Sequence, residues 1–289
     1  MNKLVLITGA TSGIGKATAT TLAKNGYHVI VHGRNKAKAR QVVQEIKNVS
    51  GNDNINYLIA NLLSMSAIKK MVNKFKRTYD HLDVLINNAG AIFSNGYKTD
   101  QDGVEITMGL NVIAPFLLTQ LLIPYLRRSK DGRIINMSSG MSNHRMTGRP
   151  DMNNLNFKGI DTGSKRYALS KLFVIWNTHH LANQLKHQGV DNITVNASEP
   201  GAVRTKFGQS SNEGFLKNFI FKLALPFMSN VNKGASTNIM LASSSKVNGI
   251  SGKYWGKCKQ EQPDDTYRTT DNEQKLWNYC MKMCKPFIN

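Results

Sequence analysis

Cysteine, acidic side chains and unbroken apolar runs are all scarce in this 289-residue chain. The cysteines are Cys258, Cys280 and Cys284, too few for a disulfide framework and spaced unlike any zinc pattern. No metal centre is expected, and a reducing compartment, the cytoplasm, is the default. Asp and Glu number 18 against 38 Lys and Arg, a formal net charge of +20. Such a field suits nucleic acid, an anionic membrane or an anionic cofactor. The lysines are dispersed, however, and no nucleic-acid module or basic-aromatic motif accompanies them. A solvated basic surface accounts for the charge, and no nucleic-acid partner is expected.

Leu4–Ile7 is too short for a secretory signal core and is closed at once by Thr8-Gly9. The most apolar stretch, Leu110–Leu126, is broken by Asn111, Pro115, Gln120 and Pro124, which favours a buried helix over a membrane span. Internal repeats, low-complexity tracts and Pro/Gly linkers are also missing. One domain over residues 1–289 is therefore predicted, long enough to bury a core unaided.

Short aliphatic runs alternate with helix-period segments. Strands are predicted at Lys3–Ile7, His28–Val31, Ile55–Ile59, Leu82–Ile86, Arg133–Met137 and Ile193–Ala197. Helices are predicted at Gly13–Asn25, Asn35–Val49, Ser64–Tyr79, Asp102–Arg128 and Lys165–His187, with helical patterns resuming at Lys233–Ala242 and Asp271–Met283. This alternation predicts right-handed βαβ units in an α/β, Rossmann-type, doubly wound parallel sheet with helices on both faces.

Thr8-Gly9-Ala10-Thr11-Ser12-Gly13-Ile14-Gly15 follows the first strand and opens a helix. Glycines there let the backbone approach a pyrophosphate, and the helix N-terminus offers unpaired N–H groups to it. The spacing is one residue wider than G-x-G-x-x-G. After the second strand comes His32-Gly33-Arg34-Asn35, where a free ribose 2′-OH would call for an acid. Arg34 suits a 2′-phosphate instead, so NADP(H) is expected over NAD(H).

Asn87-Asn88-Ala89-Gly90 follows the fourth strand, Ser138-Ser139 the fifth, and Asn111 lies within a predicted helix. Tyr167 and Lys171, in Tyr167-Ala168-Leu169-Ser170-Lys171, share one helix face. A phenol is a poor proton donor or acceptor near neutrality, and a neighbouring ammonium is expected to favour the phenolate.

Together these motifs, with Pro200-Gly201 through Thr205, resemble the short-chain dehydrogenase/reductase family across nearly the whole chain. Gly252-Lys253-Tyr254-Trp255 and Leu276-Trp277 are similar to its retinol-dehydrogenase-like branch. The resemblance implies a hydride transfer between NADP(H) and a carbonyl or alcohol of a lipophilic small molecule. Tyr167 would be the general acid or base. Lys171 would hold the nicotinamide ribose, Ser139 the substrate oxygen, and Asn111 a relay water. Ser139 is chosen over Ser138 because the later serine faces the site in such motifs. Asn61-Leu62 would meet adenine in place of a more usual Asp-Leu, while Val203 and Thr205 would fix the carboxamide. The catalytic set is thus Asn111, Ser139, Tyr167 and Lys171. The cofactor-binding set is Gly9, Ser12, Gly13, Ile14, Gly15, Arg34, Asn35, Asn61, Leu62, Asn88, Ala89, Gly90, Tyr167, Lys171, Pro200, Gly201, Val203 and Thr205. A non-catalytic NADP(H)-binding sensor of the same fold is the alternative, although such proteins usually lose the tyrosine or lysine.

Substrate specificity is expected in Gly140–Arg166 and in Lys206–Asn232. The latter, with Phe215–Phe227, reads as a lid, an interfacial helix in peripheral membrane contact, or core. His179-His180 lacks an acid at ligand spacing and is read as surface or packing. The resemblance makes helices 102–128 and 165–187 faces for a homodimer or homotetramer. Glu199, before Pro200-Gly201, has no evident role from sequence.

Overall fold

The computed structural model describes residues 2–201 and 231–288. Val203, Thr205 and the lid segment 206–232 up to residue 230, with Phe215–Phe227, fall outside the described residues, while Val231 and Asn232 open a described helix. Eight strands are described: β1 Leu4–Ile7, β2 His28–Gly33, β3 Ile55–Ile59, β4 Val84–Asn87, β5 Gly132–Met137, β6 Ile193–Glu199, β7 Tyr254–Gly256 and β8 Lys259–Glu261. They order as β3-β2-β1-β4-β5-β6-β7-β8, parallel from β3 through β7, with β8 antiparallel at the edge. The order reverses between β1 and β4, leaving a crevice at their carboxyl ends where ligands bind in such sheets.

The helices are α1 Gly13–Lys24, α2 Lys36–Ser50, α3 Met65–Thr78, α4 Ile106–Leu126, the short α5 His144–Thr147, α6 Gly163–His187, α7 Val231–Ser243 and α8 Thr270–Ile288. Two apolar cores sandwich the sheet. One joins it to α3, α4, α6 and α8 around Phe75, Leu117, Phe173 and Trp176; the other joins it to α1, α2 and α7 around Leu22, Ile46 and Leu241. The buried strands read as continuous apolar runs because both faces are covered. The α4 helix is long and apolar enough to cross a membrane, yet 72% of its apolar window is buried inside the protein.

Two expectations need correction. The helix predicted from Asp102 starts only at Ile106, because Asp100 Oδ1 accepts from the Asp102 and Val104 N–H groups and closes a turn there. Nor is α4 uniform, since Gly109–Ile113 forms a π turn. The β7–β8 hairpin was not anticipated at all.

The insertion Gly140–Arg166 does two things. Leu155 and Phe157 are buried in the core, and Phe157 stacks on Phe173 at 5.9 Å while holding φ at +59°, a strained conformation for a bulky residue. Residues 155–157 thus anchor the insertion. Across α4 and α6, the surfaces that the resemblance marks for self-association, lies α8. Trp277 packs edge-on against Phe116 at 4.7 Å and stacks on His180 at 4.5 Å, while His179 Nδ1 is 3.0 Å from Glu273 Oε1. Both histidines are occupied with packing this helix.

Candidate active site

The β1–α1 turn is built by close approaches. Gly9 sits at φ +65°, in the left-handed region, and a Cβ there would meet the Ala89 Cα at 3.1 Å. A Cβ on Gly15 would fall 2.5 Å from Asn88 Nδ2 and 2.6 Å from the Gly9 carbonyl oxygen. Ser12 occupies the N-cap of α1 without a side-chain capping bond. Opening N–H groups of this helix are therefore not claimed by their own cap, the condition for receiving a phosphate.

Asn88 and His32 hold the turn from behind. Asn88 Nδ2 donates to Thr8 O at 2.8 Å, and the Ala89 N–H donates to Thr8 Oγ1 at 2.9 Å. The Gly9 N–H donates to His32 Nδ1 at 3.2 Å, so the opposite nitrogen, 3.2 Å from Ala60 O, carries the proton. Burial pulls His32 down to about 4, keeping the imidazole neutral. His32 was missed as a site residue; its only signal was a polar residue in the aliphatic run His28–Gly33.

Arg34 emerges exposed just past β2, and Asn35 caps α2 by accepting from the Lys38 N–H at 2.9 Å. Asn61 is exposed at the end of β3, and its Oδ1 accepts from the Leu63 N–H at 3.1 Å, while Leu62 turns inward. Part of Asn61's acceptor capacity is thus used locally. Pro200 and Gly201 follow β6, with Gly201 at φ +68°.

Opposite the turn, β5, α4 and α6 bring four polar side chains together. The π turn of α4 carries Asn111, whose Nδ2 donates to Ala91 O at 3.1 Å and Ser170 Oγ at 3.0 Å, while Oδ1 accepts from the Ala91 N–H at 3.1 Å. A Cβ on Gly90 would crowd Asn111 Oδ1 at 3.1 Å and Lys171 Nζ at 3.2 Å, so glycine admits both groups beside the main chain. Ser138 donates to Lys171 O at 2.8 Å and is buried, whereas Ser139 is hydrogen-bonded to Tyr167.

Tyr167 and Lys171 are both buried, and the ammonium nitrogen lies 5.6 Å from the phenol ring centroid. Lys171 Nζ donates to Met137 O at 2.8 Å. Here desolvation sets both values. Burial pushes the phenol up to about 12, with the Ser139 bond opposing it, and pulls the lysine down to about 7. The expected ammonium-stabilised phenolate is therefore not what these side chains favour. They favour a protonated phenol beside an amine that changes charge near neutrality.

Glu199 acquires surroundings. Its Oε2 would lie 2.8 Å from a Cβ on Gly140, and its carboxyl is hydrogen-bonded with Tyr254 and the Gly140 N–H. Burial and the neighbouring Glu261 carboxylate raise it above the ordinary carboxylate range.

Residues 3–151 match the short chain dehydrogenase family. The chain is 35% identical to retinol dehydrogenase 14 of Homo sapiens over 290 residues, covering 96% of this chain and 84% of the relative. It is 33% identical to polyprenol dehydrogenase of Homo sapiens, covering 98% and 85% respectively. A solved short chain dehydrogenase from Salmonella enterica, 24% identical, superposes with a TM-score of 0.69 over 90% of this chain and 97% of its own. The chain belongs to the short-chain dehydrogenase family, in its retinol-dehydrogenase-like branch, and is an oxidoreductase of alcohols and carbonyls with small-molecule substrates and an NAD(P)(H) cofactor.

Proposed function

We propose that the chain is an NADP(H)-dependent oxidoreductase acting on a carbonyl or alcohol of a lipophilic small molecule, with Tyr167 as the general acid and base. The observation that carries this reading is the convergence of Ser139, Tyr167 and Lys171 beside Gly90 at the carboxyl ends of β4 and β5. The retinol and polyprenol in the relatives' names are lipophilic alcohols, which supports the substrate class. Solved neighbours complexed with NADP and NADPH, together with the exposed Arg34 past β2, support the phosphorylated cofactor.

The uncapped start of α1 and the cradle over Gly9 and Gly15 fit the pyrophosphate. When bound, the nicotinamide supplies or accepts the hydride. The chain's residues manage the proton. Ser139 orients the substrate oxygen, and Tyr167, whose raised value keeps the phenol protonated, delivers a proton to that oxygen during reduction. The phenolate left behind is countered by the protonated form of Lys171, poised at about 7, and a proton from solvent returns the phenol to its starting state. Asn111 holds the Gly90–Ala91 backbone and α6 in register around them.

The test is a panel of aldehydes, ketones and all-trans-retinal with NADPH and NADH, followed by loss of reduced-nicotinamide absorbance. Reduction is expected with NADPH preferred. Tyr167→Phe is expected to lose at least about 100-fold in kcat while still binding NADPH; a variant that turns over at the parental rate defeats the mechanism.

A further inference from the structure

Arg166 and Glu105 form an ion pair in which neither side chain is exposed, with Nε 3.1 Å from Oε1, although Nε is not aligned as a hydrogen-bond donor. Arg166 immediately precedes Tyr167, and Glu105 is the N-cap of the helix that bears Asn111. The carboxylate has other partners too: Oε2 accepts from the Thr107 and Met108 N–H groups at 2.7 and 2.9 Å, and Oε1 from Thr107 Oγ1 at 3.0 Å. The guanidinium fork donates to Ile160 O and, at 2.8 Å each, to Ser94 O and Gly96 O.

These bonds join three segments that meet again at the reaction centre. Residues 94–96 follow Asn88–Ala91; Glu105 starts α4; Arg166 lies on the opening turns of α6. One tie between them is the Asn111 amide, bonded to Ala91 and Ser170. The other is the Glu105–Arg166 pair, displaced along both helices. Apolar packing holds both helices against the sheet but is non-directional, whereas two directional ties at different heights add a specific register between them. The glycine at the head of α6 serves the same closeness: a Cβ on Gly163 would run into the Phe93 carbonyl oxygen. From the far side, Asn156 Oδ1 accepts from the Glu105 N–H at 2.8 Å, so the anchored part of the insertion also ends on this pair.

A buried pair of this kind is a poor source of net stability, since desolvating both charges offsets much of their attraction. What a multidentate guanidinium does supply is direction, because its planar donors fix several acceptors at once. We propose that Glu105 and Arg166 are positioning residues. Their ion pair sets the relative placement of the Gly90–Ala91 segment after β4, Asn111 and Tyr167, and so the rate of the proton step. The proposal rests on the reading of Tyr167 given above.

The experiment uses the full chain, NADPH and the panel carbonyl that the parent reduces fastest. Arg166→Lys keeps the charge but loses the fork; Glu105→Gln with Arg166→Met removes both charges together. Active molecules are counted by NADPH fluorescence titration, and rates are expressed per NADPH-binding site. A misplaced acid is expected to lower kcat at least about 10-fold, with the NADPH Kd held within about twofold. Arg166→Lys is expected to retain more rate than the double variant. Parental kcat per binding site in both variants overturns the proposal, as does loss of NADPH binding in both, which would make the pair a support of the whole fold. If the parent reduces no panel member, the reading of Tyr167 fails first. If Tyr167→Phe is dead while both pair variants match the parent, only the present inference fails.

Discussion

The two sides of the crevice are held by different means. On the nucleotide side the supports are neutral: the Asn88 amide, the Thr8 hydroxyl and an imidazole that burial keeps uncharged. On the proton-transfer side the neutral Asn111 amide is joined by ionisable groups out of water, in Glu105 with Arg166, in Lys171 and in the partly buried Glu199. A turn that must receive a pyrophosphate, with a negative charge on each phosphorus, gains by keeping fixed negative charge away from its own backbone, so that the helix N-terminus faces the ligand unopposed. A site that must move one proton gains from desolvated ionisable groups, whose charge state changes within reach of neutral pH. The division predicts where substitution alters pH behaviour and where it alters only affinity.

The largest expected effect is on stability. Lys171 titrates at about 7 when folded against 10.5 for a free lysine, so between those values the unfolded chain binds the additional proton. The contribution of Lys171 to stability should therefore rise with pH across that window and be lost as pH falls through it, by up to roughly 4 kcal/mol, whereas the buried thiols Cys280 and Cys284 and the Tyr167 phenol, all raised by burial, act in the opposite sense in its alkaline part. Urea unfolding of the chain without added nucleotide, repeated at about pH 7, 8.5 and 10, measures the slope. Lys171→Met should lower it by the Lys171 contribution, so that the difference between the parental and variant slopes isolates this group. An unchanged slope in that variant would assign the dependence to other groups and weaken the contrast between the two sides.

Next in size is a change confined to the nucleotide side. Arg34→Asp places a carboxylate where a 2′-phosphate would be received, and should shift the NADPH:NADH ratio of kcat/KM toward NADH by about 10- to 100-fold. Because Arg34 is exposed past β2, whereas the proton machinery lies on α4, α6 and the end of β5, the pH profile of kcat should not move. Cofactor ratios equal to the parent's would remove Arg34 as the discriminating residue; a displaced profile would show that the sides are not separable.

How much of this was legible in the sequence depends on how local each signal is. The strands from β1 to β6 were marked by aliphatic runs, and the β1 turn by its glycines, because those signals lie within a few neighbouring residues. The β7–β8 hairpin was not marked. Its strands are three residues long, and Lys259-Gln260-Glu261 has no apolar alternation. Lys257 and Cys258 fill the turn at φ +49° and +62°, positions where Asn-Gly would have announced a hairpin. The late start of α4 was hidden by Asp100, whose side chain competes for the N–H groups that a helix from Asp102 would need. Tyr167 and Lys171 were readable as a pair, but their charge preference was not, since spacing on a helix says nothing of how deeply the pair is buried. The partnership of Glu105 with Arg166 is a tertiary fact, with no periodicity to reveal it.

The smallest expected effect concerns Glu199, where the charged side meets the sheet edge. Its carboxyl contacts Gly140, next to Ser139, with Tyr254, Glu261 and Lys257 as its other described polar neighbours. Burial and Glu261 raise it above the usual carboxylate value, so the folded chain holds the proton to higher pH than the unfolded one. The ionised form then costs stability, and stability is lost as pH rises through the folded value. Glu199→Gln should stabilise the chain at neutral pH, by less than about 1 kcal/mol because the group is only partly buried, and should abolish that part of the pH slope. Since glutamine still accepts a hydrogen bond from Gly140, kcat should stay within about threefold of the parent. Thermal unfolding at acidic and neutral pH, paired with the rate assay, separates the outcomes. A destabilised variant at neutral pH would mean that the carboxylate is held by its hydrogen bonds more strongly than Glu261 repels it, and Glu199 would join Asn88 and His32 as a support rather than a cost.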